Sequence, residues 1–176
     1  LQKYKANYHY QMIIKDFQLI NSISTETFQS FLLYGPNEGL IRENIDIIYK
    51  NFSKGIECEK INIDGKQLDE NASILNDEIS TISLFSERKF IILESAKEKH
   101  ASIIEDSLSL DIINVCMVVK QDNLTKSSSI RKLYENSKNH FCLACYDDDI
   151  KVLSSLLEKF QKTHNITFDS DVKSFL

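Results

Sequence analysis

The chain has 176 residues, 42% of them hydrophobic and 27% charged, with a formal net charge of −5. That composition excludes an intrinsically disordered chain, and the acidic balance excludes a dedicated basic grip on nucleic acid, though not DNA contact within a larger assembly. One proline and four glycines leave few places for irregular structure, so most residues are expected in helices and strands.

The first residues, "LQKYKANYHYQM", lack the apolar centre of a secretion signal, and no apolar run is long enough to span a bilayer. The expectation is a cytoplasmic protein with no membrane contact. Met12, just before the patterned "MIIKDFQLI", is a candidate initiator, which would make the preceding residues an upstream extension. Residues 1–30 are read as an N-terminal extension and first segment.

"FLLY" (Phe31 to Tyr34) is a short continuous apolar run of the kind that forms a buried parallel strand. After the turn "GPNEG", Ile41, Ile45, Ile48, Tyr49 and Phe52 recur at helical spacing, and Gly55 offers a helix cap. "CEKINID" alternates as a strand does, and "DGK" around Gly65 reads as a turn. Ile74, Leu75, Ile79 and Ile82 mark a second helix. "KFIILE" (Lys89 to Glu94) is the third strand, and Ile103, Ile104 and Leu108 set the helix after it. "INVCMVVK" (Ile113 to Lys120) is the fourth strand, followed by a helix with its buried stripe on Ile130, Leu133 and Tyr134. "FCLACY" (Phe141 to Tyr146) is the fifth.

Five strands alternating with helices predict an α/β fold, a parallel sheet with helices on both faces, because parallel neighbours need long crossover connections. The predicted domain covers 31–146. Beyond it, "DDD" can cap a long amphipathic helix on Ile150, Leu153, Leu157 and Phe160, and a further helix follows Ser170 or Asp171. Two helices without an intervening strand predict the start of a small helical domain over 147–176.

Four cysteines fit a reducing compartment. Cys142 and Cys145 have C-x-x-C spacing, but no second pair completes a zinc site, and they read as small apolar core residues. The histidines are scattered. No metal and no cofactor are expected.

Strand, glycine-rich turn and helix is the layout of a phosphate-binding loop, G-x-x-x-x-G-K-[ST]. In such a loop the backbone amides cradle the phosphates, the lysine neutralises them and the hydroxyl holds magnesium. The glycines at hand are Gly35, before Pro36, and Gly39. Laid ungapped from Gly35, the lysine position falls on Ile41 and the hydroxyl position on Arg42. Sliding the second glycine to Gly39 puts Leu40 and Ile41 there instead. Either register loses the main counter-charge, and Glu38 and Glu43 oppose an anion. Glu94, at the tip of the third strand, lacks the acidic neighbour that hydrolysis ordinarily needs. The site is read as nucleotide-free.

In "ISTISLFSERKFIILE" two large apolar residues, Leu84 and Phe85, fall at a helix-to-strand junction, where a chain usually surfaces. Composition alone favours folding them back onto the core. The alternative leaves them out as an anchor for a partner, each worth roughly 2 kcal/mol on burial.

The strand and turn "FLLYGPNEGLIREN", the segment "SLFSERKFIILESAK", "INVCMVVK" with "QDNLTKSSSIRKLYENS", and "FCLACYDDDIKVLSSLLEKFQKTHNITFD" together resemble the delta subunit of the bacterial DNA polymerase III clamp loader in order and spacing. The resemblance runs from Phe31 to the end, and "YGPNEGL" is similar to alphaproteobacterial members. It implies an AAA+-like (P-loop NTPase) fold with a decayed nucleotide site, in a subunit that binds and opens the sliding clamp (beta) without hydrolysing ATP. The family's clamp-binding Leu-Phe pair matches Leu84 and Phe85, flanked by Ser83 and Ile82, which reverses the compositional preference for burying them. The family is about twice this length, with a helical lid and a collar. The resemblance therefore implies an N-terminal part that ends inside the lid. It also implies partners for the full-length protein: the gamma/tau and delta prime subunits and, through the complex, primed DNA. Lys126, Arg131 and Lys132, in a locally basic stretch with Lys120 and Lys138, are the weaker candidates to face DNA.

Competing readings are an active AAA+ or other P-loop NTPase with a variant loop, and a stand-alone doubly wound ligand-binding domain. No catalytic residue is identified. No carboxylate pair is placed to hold two metals for nucleotidyl transfer, so any DNA-directed DNA polymerase activity would belong to the holoenzyme.

Overall fold

The computed structural model describes residues 23, 27–83, 86–146 and 161. By compactness the chain divides into two units, Leu1–Cys145 and Tyr146–Leu176. The predicted helices of 147–176 and nearly all of the extension 1–30 lie outside the described residues.

Five strands form the sheet: β1 (Gln29–Tyr34), β2 (Cys58–Asp64), β3 (Arg88–Glu94), β4 (Val115–Gln121) and β5 (Phe141–Ala144). Their order is β2-β3-β4-β1-β5, and every pairing is parallel. The helices are α1 (Glu38–Ser53), α2 (Gly65–Glu70), α3 (Ile74–Ser80), α4 (Ala101–Leu108, entered by a 3₁₀ turn at Glu98–His100) and α5 (Ser129–Glu135). Among the described residues, no helix is long and apolar enough to cross a membrane.

The connection from β1 to β2 runs one way along the sheet and all later connections run the other way. With right-handed crossovers, that reversal puts α1 on one face and α2–α5 on the opposite one. The two cores follow it. Ile41, Ile48 and Phe52 of α1 pack with Phe31, Leu33, Phe90, Val118 and Leu143. Leu68, Leu75, Ile79, Ile104, Ile130 and Tyr134 of the other helices pack with Leu32, Tyr34, Ile91, Leu93, Met117 and Val119. Alternate residues of β1 serve alternate cores, which is why Phe31 to Tyr34 read as an unbroken apolar run, while the strand begins with two buried polar residues, Gln29 and Ser30.

The structure departs from the sequence reading at three places. The Asp-Gly predicted as a plain turn opens helix α2. There Asp64 accepts from the Lys66 amide at 2.8 Å while Gln67 accepts from the Asp64 amide at 2.8 Å, a reciprocal cap. The glycine answers a packing need, since a Cβ on Gly65 would lie 2.2 Å from the Ser95 carbonyl oxygen. The second predicted helix ends at Ser80, so Ile82 lies beyond it. Strand β4 starts at Val115 and not at Ile113, because Asn114 takes a left-handed φ of 62° that breaks the ladder. The cap predicted at Gly55 is shared: Lys54 closes α1 at φ 48° and Gly55 follows at φ 79°.

Candidate functional site: a closed turn after β1 and a tethered loop before β3

The phosphate-loop position lies where β1 hands over to α1, beside the tips of β4 and β5. This is where strand order reverses, and open α/β sheets bind ligands there. Only Gly35, Pro36 and Asn37 separate strand from helix. Five amides at this turn bond within the chain. Gly35 N–H donates to the Gln121 carbonyl (3.4 Å), Asn37 N–H to the Cys145 carbonyl (3.1 Å) and Glu38 N–H to the Pro36 carbonyl (3.1 Å). Leu40 N–H donates to Asn37 Oδ1 (2.9 Å) and Ile41 N–H to the Asn37 carbonyl (3.0 Å).

The end of β5 presses onto this turn. Cys145 N–H bonds the Tyr34 carbonyl at 2.7 Å, and a Cβ on Gly35 would sit 2.0 Å from the Cys145 carbonyl oxygen. Gly35 is thus required by contact as well as by its φ of 139°. Pro36, Gly39 and Arg42 are exposed, and Ile41 points away from the turn into the core with no exposed surface.

A feature the sequence did not announce lies next to it. Lys120 Nζ stands 3.0 Å from Glu38 and 3.9 Å from Glu94, at the rim of a cavity of about 80 Å³ that Asp122 also lines. Ordinary small-molecule sites measure roughly 300–1,000 Å³. The lysine here neutralises the protein's own carboxylates. Its signal is long-range, since the tips of β3 and β4 bring residues 94 and 120 to the start of α1.

The second candidate sits at the opposite end of the strands, between α3 and β3. Leu84 and Phe85 lie outside the described residues; the structure describes both ends of their loop. On the helix side, Thr81 N–H closes α3 on the Asp77 carbonyl (2.9 Å). Lys89, only 7% exposed along its side chain, reaches back to the Glu78 carbonyl (2.9 Å), to Thr81 Oγ1 (3.2 Å) and to the Glu78 carboxylate (3.6 Å). On the strand side, Arg88 donates to the carbonyls of Phe52 and Ser53 at the end of α1, both at 2.6 Å. Across the neck, the Ser86 amide and hydroxyl donate to Ser83 Oγ (3.2 and 3.1 Å), and Ser86 Oγ accepts from the Glu59 amide at 3.2 Å. Ile82, in this loop, is 91% exposed. Short tethers at both ends hold out a loop whose described apolar member finds no core.

Of the three residues read as facing DNA, the structure engages Arg131 internally. Its Nε donates to Glu135 at 2.7 Å, Nη1 to the Leu124 carbonyl at 3.3 Å, and its guanidinium lies 5.0 Å from the Tyr34 ring centre. Lys126 is exposed, and Lys132 lines a shallow cleft between α4 and α5. Cys142 and Cys145 are buried free thiols facing opposite cores, with burial pushing Cys142 up to about 12. Among the described residues no cluster of three or more His, Cys, Asp or Glu could hold a metal.

With this geometry in hand, comparison with known proteins is informative. The family model of the DNA polymerase III delta subunit matches residues 31–109, which run from β1 past α4 and include the loop between α3 and β3. The probable DNA polymerase III subunit delta of Rickettsia prowazekii (strain Madrid E) is 27% identical over 153 residues, covering 85% of this chain and 44% of that protein. Among solved structures, the Bacillus subtilis DNA clamp loader delta protein is similar in fold. Its TM-score is 0.57 at 15% identity, over 89% of this chain and 49% of that one. The chain spans about half the length of the relatives it matches. The expected fold class, a five-stranded parallel sheet with helices on both faces, agrees with that neighbour.

Proposed function

We propose that this relative of the DNA polymerase III delta subunits is a clamp-loader subunit that binds and opens a sliding clamp ring without hydrolysing ATP itself. The observation that carries the reading is the tethered loop between α3 and β3. Its ends are fixed by Lys89, Arg88 and Ser86, and it presents Ile82 at 91% exposure. Fixed ends lower the ordering cost of docking, and Ile82 is the described apolar group that this loop exposes. Leu84 and Phe85 are the proposed anchors, with Ser83 and Ile82 beside them.

The closed turn at Gly35 supports the second half of the proposal, because its amides and its space are already occupied by the chain. Partners of the full-length protein would be the beta clamp, the gamma/tau and delta prime subunits and, through them, primed DNA. Lys126 and Lys132 are the remaining candidates for contact with phosphate. The experiment is calorimetric titration of the chain with its own sliding clamp, beside a Leu84→Ala/Phe85→Ala variant. The expected outcome is binding by the parent and a loss of about 2–4 kcal/mol in a variant with an unchanged circular dichroism spectrum. A folded parent that does not bind overturns the proposal.

A further inference from the structure

We draw no further inference here: the strongest candidate, the open cleft between α4 and α5, is lined by Lys132 and Lys138 against Glu105, so its charge selects no ligand, and nothing in the structure shows what covers it.

Discussion

His140 shows how much one side chain can decide in this fold. It precedes β5, where β1 has no strand residue to bond, and its imidazole completes the ladder instead. Nδ1 accepts from the Ser30 amide at 3.1 Å, and Nε2–H donates to the Leu108 carbonyl at 3.0 Å. The bond from Ser30 needs the neutral ring, the bond to Leu108 survives protonation, and burial outweighs it to hold the pKa below the ordinary value. The unfolded chain therefore takes up the proton first as pH falls. The stabilisation is complete above about pH 6.5 and is lost as pH drops through the folded pKa. Urea denaturation between pH 7.5 and 5 should show stability falling with pH, and His140→Gln, which can still donate and accept, should flatten that slope. Asp69 and Glu98 respond at lower pH. Lys97, Lys99 and His100 hold the first carboxyl below the usual range, and the Ser128 hydroxyl, helped by the Ser129 amide, does the same for the second. Neither accounts for a slope near pH 6. At this scale the sequence says little, since a lone histidine before a strand carries no pattern. Its partners Ser30 and Leu108 lie 110 and 32 residues away.

At the scale of elements, four strands were legible as apolar runs and β2 by its alternation, and the helices between them repeat at helical spacing. The errors fall where periodicity cannot see packing. Leu75, Ile79 and Ile82 are spaced as one helical face, yet the third has left the helix. Spacing cannot distinguish a residue on a helix from one that follows after the chain turns away. The cap at Asp64 and Gln67 was readable as D-x-x-Q, but Asp-Gly is so strong a turn signal that it masked the helix start. The tethers of the loop between α3 and β3 were not legible, because "SERK" gives no hint that Arg88 and Lys89 turn in opposite directions to hold two helix ends. Lys89→Met keeps the stem and removes the donors, leaving the Glu78 carbonyl unsatisfied. It should cost about 1–3 kcal/mol in urea denaturation. Calorimetry at a temperature where the variant is fully folded should still show weaker clamp binding, because the loop has lost one of its two fixed ends.

Over the folded unit Leu1–Cys145, the closed turn and the docking loop occupy opposite ends of the same strands. Seven residues of β3, roughly 20 Å of buried parallel sheet, lie between Glu94 at one end and Arg88 at the other. The proposed function requires that the end at Gly35 bind no nucleotide while the loop at the other end contacts the clamp. A thermal melt with and without 5 mM Mg-ATP measures the first property. A site half-filled at about 50 μM would gain close to 3 kcal/mol, a rise of roughly 5–10 °C, and the expected outcome is no rise.

The carbonyl of Cys145, resting where a Cβ on Gly35 would collide, also bears on whether such a change can be undone. The loop is closed by main chain, so point substitutions that put back a missing side chain leave the obstruction in place. A lysine at position 41 would carry its charge into a core where Ile41 has no exposed surface. One at position 42 would lie on solvent beside amides already bonded elsewhere. Regaining a phosphate cradle would require moving the end of β5 and lengthening the turn together, neither step useful without the other. Two coupled backbone changes, and not one side chain, separate this turn from a phosphate cradle.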